Sequence, residues 1–324
     1  MGNWKLRDRN KSPYYNKCKM LIETKDLEGI SKLNSKELQI FFKTWWYEFP
    51  AKFGRCKGDL AKTKKDFPAK YKVSFCTNIM GRLDELKATL FKNIKDNMDY
   101  PYFEYVLLNY DGDCKVDEYI KSEFMSYIES GILSYYKNLE PAPYYKMCHS
   151  RNITGKLADG DIISFNDANN LTNDFAYFLN GAPQHLENED IICMMGGNRN
   201  GRIAIFKDKF LALGGYDESM DPRWWQDRDL EYRAEASGLT NVLYSKLQYY
   251  NPVGNKNWSK DKQYANYPDE LKSIFKRVGR RRRYIWKLRQ QTASNIVSNN
   301  LVANKDVKWG NGSFLKNFID IKKV

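Results

Sequence analysis

The residues whose types and spacing could do chemistry crowd into one stretch, Gly214 to Leu230: G-G-Y-D-E, five residues, then W-W-Q-D-R-D-L. Gly214 and Gly215 supply a tight turn. Asp217, Glu218, Asp221, Asp227 and Asp229 supply carboxylates, and Tyr216, Trp224 and Trp225 supply flat aromatic surface. A core helix has no use for that mixture, whereas a site that holds a sugar and takes a proton from a hydroxyl does. Asp227 is the candidate general base, because sugar transfer needs an acceptor oxygen made nucleophilic as it attacks the anomeric carbon. The competing reading gives Asp227 and Asp229 only a dipole role at a helix start. The neighbouring G-G-Y-D-E weighs against it.

Further acids and amides lie upstream. Asp167 and Asn169, one residue apart, follow an apolar run. Two oxygen side chains so spaced can face one Mg²⁺ or Mn²⁺, or form a solvated turn. The preceding A-D-G-D-I-I-S-F favours the site, since a strand there delivers the pair to a ligand edge. Asp111 suits a base or ribose, or an ordinary Asp-Gly turn. Arg151 suits a diphosphate, or an exposed surface.

The elements that must position these residues follow from periodicity. A helix is expected from Lys36 to Phe49, capped by Asn34 or Ser35. Strands are expected at Tyr71 to Cys76 (ending at Thr77-Asn78), 103–108, 132–136 and 161–165, with helices at 83–97, 116–129 and 148–158 between them. That alternation predicts an α/β fold, a mostly parallel sheet flanked by helices. Ligands in such sheets bind beyond the carboxyl ends of the strands, and the polar clusters at Thr77, Asp111 and Asp167 fall there. A short strand at 202–206, helices at 207–213 and 227–237, and a strand at 239–244 follow. Three segments are expected: a basic, aromatic helical extension at 1–70, the main domain at 71–258, and a basic, helical extension at 259–324.

Composition bounds the class. The 324 residues carry a net charge of +13 and 15% aromatics, a balance that favours polyanionic partners, whether nucleic acid, acidic glycan, nucleotide phosphates or the surface of an anionic membrane. The six cysteines are scattered without a C-x-x-C pair, and the two histidines give no basis for a zinc site. Scattered thiols, a charged N-terminus and the lack of a long apolar run point to a cytoplasmic protein without a transmembrane segment.

On these residues the chain resembles the GT-A fold glycosyltransferases, especially family-2-like enzymes with a galactosyltransferase-type C-terminal motif. The likeness runs from about Tyr71 to Trp258. V-S-F-C-T-N-I-M-G-R resembles the first strand segment, which implies Thr77, Asn78 and Arg82 near the nucleotide. L-L-N-Y-D-G-D resembles the second, with Asp111 near the base. H-S-R-N-I-T-G-K-L-A-D-G-D-I-I-S-F-N-D-A-N-N resembles the helix and strand leading to the D-x-D, with Arg151 and Asp167 on the donor. G-G-Y-D-E and W-W-Q-D-R-D-L resemble the acceptor and catalytic segment. The resemblance implies Gly215, Tyr216, Asp217, Glu218, Trp224, Trp225, Gln226 and Asp229 around the sugar or acceptor, with Asp227 as the base of an inverting displacement. A Mn²⁺ or Mg²⁺ ion on Asp167 and Asn169 is implied as cofactor.

Three positions depart from the pattern. The D-x-D is D-A-N, the acid before Asp227 is Gln226, and no histidine follows His185, leaving Asn251 or Asn255 to complete a metal site, or the diphosphate to hold most of the metal. The implied activity is that of a hexosyl- or pentosyltransferase using a nucleotide-sugar donor. A surface glycan or lipid-linked sugar is the expected acceptor, and a hydroxylated base in phage or viral DNA is the alternative. A non-catalytic nucleic-acid-binding or scaffold protein on a decayed transferase fold is the rival from another class.

Overall fold

The computed structural model describes residues 13–48, 67–195, 202–222, 224–244, 251–254 and 266–324. The start of the chain and Asn255 lie outside them. Three helices come first, α1 (Pro13–Glu23), α2 (Leu27–Ser31) and α3 (Ser35–Glu48). Of the two expected caps, Asn34 serves. Its side chain accepts from the N–H groups of Lys36 and Glu37, and Glu37 accepts from the Asn34 N–H. This exchange satisfies donors that a helix start leaves free.

The expected alternation follows as β1 (Val73–Ile79), α4 (Leu83–Lys95), β2 (Phe103–Asn109), α5 (Cys114–Glu123), α6 (Met125–Glu129), β3 (Leu133–Asn138), α7 (Met147–Leu157) and β4 (Ile162–Asp167). Next come β5 (Asn170–Leu171), α8 (Phe175–Leu186), β6 (Ile191–Met195), β7 (Ile203–Phe206), α9 (Lys207–Ala212), a 3₁₀ turn at Glu218–Met220, α10 (Gln226–Ala236) and β8 (Thr240–Tyr244). The chain closes with β9 (Asn251–Pro252), α11 (Asp269–Lys276), α12 (Val278–Val297), β10 (Ser313–Lys316) and β11 (Asp320–Lys323).

Nine strands form one sheet in the order β11-β10-β3-β2-β1-β4-β7-β6-β8, and β5 pairs with β9. The central strands β3, β2, β1 and β4 are parallel, while β7 runs antiparallel to β4 and β6. The class is the expected one, α/β, with a mixed sheet of parallel centre between two helical layers. Alternating side chains divide the core. Phe103, Tyr105 and Leu107 of β2 pack with α4, α5 and α8, whereas Val106 and Leu108 pack on the face that carries α7, α10 and α12.

The described parts of the terminal segments belong to this body. Ile22, Ile30, Leu33 and Phe41 share the core of α7, α10 and α12, and the Trp286 indole donates to the Leu33 carbonyl at 2.9 Å. The expectation of a helical segment at 259–324 needs correction, because its last residues form β10 and β11. The open edge of β3 offers unpaired backbone groups, and β10 pairs with it while burying Phe314. Two internal elements were not legible. Gly181 and Pro183 mask α8, and β6 is a plain apolar run too short to classify by period.

Candidate active site

The strand order reverses direction between β1 and β4. In open α/β sheets, the crevice outside such a reversal receives ligands. Register places Asn78 beside Asp167 and Ile79 beside Asn109, so the clusters expected at strand ends do share one edge. Asn78 donates to the Ser150 hydroxyl at 2.6 Å and accepts from Tyr145 at 3.0 Å. Thr77 is turned into the core, its hydroxyl 2.8 Å from that of Tyr105. The Arg82 Nε donates to Glu85 at 3.0 Å. Asp111 accepts from the Gly81 N–H at 2.9 Å, and burial pushes its carboxyl above the ordinary range despite that bond.

The centre of the site is Arg151, one turn into α7. Its side chain is only 3% exposed. Nη1 donates to Asp227 Oδ1 and, at 3.2 Å, to the Tyr216 hydroxyl, while Nη2 donates to Asp167 Oδ1 at 3.2 Å. One guanidinium therefore ties the end of β4, the residue after the glycine turn, and the start of α10. Burial opposes its charge, yet the surrounding Tyr216, Asp227 and Asp167 push its pKa well above the usual value. A buried charge is tolerable when it is both paired and hydrogen-bonded. Asp227 and Asp167 remain 14% and 34% exposed, so this cluster opens towards solvent on its acidic side.

A second arginine completes it. Arg202 Nη2 lies 3.1 Å from Asp167 Oδ2 and 2.8 Å from Asn170 Oδ1. Burial alone would raise the Asp167 carboxyl. Arg202, then Arg151 and Arg82, outweigh it and hold the group below the ordinary range. Arg202 carries no site signal in the sequence. Its strand β7 is antiparallel to β4, which brings the start of one to the end of the other, and no local pattern announces that direction.

The pairing bears on the expected metal. Both Asp167 oxygens face guanidinium groups, and the Asn169 side-chain oxygen faces Asn170 Nδ2 at 3.4 Å. A dication here would lie against two like charges. Among the described residues no group of three or more His, Cys, Asp or Glu side chains converges as a metal site. As placed, Asp167 and Asn169 fit an arginine-neutralised carboxylate and its neighbour, not a dication site.

Most of the dense stretch turns out to hold the site rather than line it. Gly214 and Gly215 both have positive φ, and a Cβ on Gly214 would overlap the Ala303 carbonyl. On Gly215 it would meet Asn152 and Trp309. Asp229 is fully buried and binds Arg233 at 2.6 Å, and Arg233 donates to the carbonyls of Leu213 and Gly215, both at 2.8 Å. Asp217 caps the 3₁₀ turn through the Ser219 N–H and accepts from Gln291. Glu218 accepts from Asn152 and the Gly310 N–H at 2.9 and 2.7 Å. Asp221, outside the expected set of site residues, accepts from the N–H groups of Cys148 and His149 at 2.7 and 3.2 Å. It thereby caps α7, the helix that carries Arg151.

The tryptophans, expected at a sugar, face the C-terminal helices. Trp224 meets Phe275 edge-on at 4.7 Å. Trp225 donates to the Thr292 hydroxyl at 3.1 Å, lies under Arg289 at 4.6 Å and touches Phe42 at 5.2 Å. Gln226 is buried. Its amide nitrogen lies 2.8 Å from the Met147 sulfur, and its oxygen has no hydrogen-bond partner among the described residues.

No family model matches this chain, and no curated protein matches it by sequence. Among solved structures it is similar to S. aureus TarS 1-349, with a TM-score of 0.47, 13% identity, and coverage of 71% of this chain and 82% of that one. It is similar to the same protein in complex with UDP, with a TM-score of 0.44, 13% identity, and coverage of 64% and 72%. It is also similar to the mannosyltransferase PcManGT from Pyrobaculum calidifontis in complex with GDP-Man and Mn²⁺, with a TM-score of 0.45, 14% identity, and coverage of 74% and 79%.

Proposed function

We propose that this protein is a glycosyltransferase that moves a hexosyl or pentosyl group from a nucleotide-sugar donor to an acceptor hydroxyl, with inversion. The observation that carries this reading is the Arg151 bridge between Asp167 and Asp227 at the strand reversal. It sets a guanidinium beside a carboxylate, groups that suit a diphosphate and a hydroxyl proton. The acceptor oxygen attacks the anomeric carbon, the bond to the diphosphate oxygen breaks, and Asp227 takes the proton. Arg151 and Arg202 offset the charge that develops on the leaving diphosphate, and this matters most where water is excluded. Asp111, with Asn78 and Arg82 on the same edge, is assigned to the nucleoside end.

A donor diphosphate would compete with Asp227 for the same guanidinium. A screen of nucleotide sugars for nucleoside diphosphate release tests the proposal directly. One donor should be turned over by the wild type and far more slowly by Asp227→Asn. A chain that binds and turns over none of them would end the transferase reading.

A further inference from the structure

The sharpest charge feature outside the site is the C-terminal helical pair. Between Glu270 and Asp306 the sequence contains no acid, and it includes the run Arg280-Arg281-Arg282-Arg283. Lys276, Arg277, Arg280, Arg282, Arg283 and Lys287 are all exposed. None of the six forms an ion pair among the described residues, and Arg280 spends one donor on the Ser273 hydroxyl at 2.9 Å. Arg280, Arg283 and Lys287 follow at i, i+3 and i+7 along one face, a row of roughly 10 Å at helical rise. With no acid in its first turn, α12 adds to the positive potential at its start instead of offsetting it.

This row adjoins the candidate site. The Tyr284 hydroxyl donates to the carbonyl of Asp221 at 3.0 Å, and Trp224 is enclosed by Phe275 and Tyr284. The helices that carry the cations are thus built onto the loop that leads into Asp227. The opposite face of α12 is already used, with Leu288, Ala293, Ile296 and Val297 buried in the core. A helix that lies in a lipid surface needs its apolar face free. A row of cations with no acid among them complements a hydrophilic polyanion with closely and evenly spaced charges, which is the character of a nucleic-acid phosphate backbone.

We propose that the α11–α12 face binds the phosphate backbone of a nucleic acid and presents it as the acceptor polymer to Asp227. This rests on the transferase reading above for the acceptor role, but not for the binding. The test is fluorescence anisotropy of labelled duplex and single-stranded DNA, measured across a salt series with the full chain. The comparison is with the triple variant R280E/R283E/K287E, whose sites are exposed and make no hydrogen bond to Arg151 or Asp227 among the described residues.

The wild type should bind with a salt slope of roughly −0.9 per phosphate neutralised. The variant should bind at least about tenfold more weakly at low salt, with a slope smaller by about two to three. Its melting temperature and its acceptor-free donor hydrolysis should be unchanged. Equal binding by both proteins would overturn the proposal, as would no binding at low salt, or binding to phosphatidylserine vesicles in place of DNA. If DNA binding is lost in the variant while neither protein turns over any donor, the binding face stands and the transferase reading falls.

Discussion

At the residue scale the decisive group is Arg151. Its guanidinium is shared between two carboxylates and a tyrosine, so its removal strands Asp227 and leaves Asp167 to Arg202. Breaking a buried ion pair from one side costs about 3–5 kcal/mol. We expect Arg151→Ala to lose stability of that order in urea denaturation, and the loss to shrink when Asp227→Asn is added. A double-mutant cycle without coupling would show that the bridge does not hold the site together. Asp227→Asn alone should lower transfer by about 10²–10⁴-fold, the usual contribution of a general base, while the protein still melts cooperatively. A variant that keeps near-normal turnover would remove Asp227 from the chemistry. Because two guanidinium groups already face Asp167, donor turnover should persist in excess chelator. Its abolition by EDTA and recovery with Mn²⁺ would refute the arginine assignment.

At the element scale, α7 and α10 are the parts that matter, and Asp221 sets the first of them. It accepts from two N–H groups at the start of α7, yet burial pushes its carboxyl up to about 6 from an ordinary 3.8. The folded state therefore holds this proton more tightly than the unfolded state. Between about pH 4 and 6 the native chain binds more protons, so the stability contributed by this group falls as pH rises through that window. Melting temperatures of the wild type and Asp221→Asn across pH 4 to 7 test the sign. The variant should show a flatter, less downward trend over that interval, whatever its constant offset. A wild-type curve no steeper than that of the variant would show that Asp221 titrates normally.

Much of this scale was legible in the sequence, for a definite reason. Apolar runs located β1 to β4, because each strand is buried on both faces and reads as a plain hydrophobic run. The polar residues that end those runs then had to fall at one edge. The directions of β6 and β7 were not legible, since a short apolar run carries no sign of its neighbour. Arg202 was lost for that reason. The carboxylates of the dense stretch were read as one set, but their partners separate them. Asp229 is consumed by Arg233 and Thr292, Asp217 by Ser219 and Gln291, and Glu218 by Asn152 and Gly310.

At the scale of the whole molecule, both ends of the chain support the site. The glycine turn receives the Ala303 N–H on the Leu213 carbonyl at 2.9 Å, and the Asn304 amide bonds the carbonyls of Gly214 and Tyr216, each at 2.8 Å. Strand β10 covers the edge of β3, and Phe42 of the N-terminal helices packs on Trp225 and Tyr232. Deleting residues 298–324 should therefore do more than shorten the protein. It opens a sheet edge, a known route to aggregation, and removes the hydrogen bonds that hold Tyr216 against Arg151. We expect this truncation to lose cooperative thermal unfolding and to aggregate in size-exclusion chromatography. A monomeric truncation with an unchanged melting temperature would show the segment to be an appendage.

The sequence by itself determined the α/β class, the parallel centre of the sheet and the edge where acids gather, because hydrophobic periodicity fixes which strands are buried and where they end. It also singled out Asp227, Asp167 and Arg151 by type and position. The tertiary structure alone decided what those residues face. Arg151 became a buried bridge between acids, the paired tryptophans became the seat of a basic helix, and the expected cation position met two arginines. The physical reason is that the charge state and use of a polar side chain depend on partners within a few ångströms. Here those partners come from β4, β7, α10 and the C-terminal helices, separated along the chain by distances that no local pattern spans.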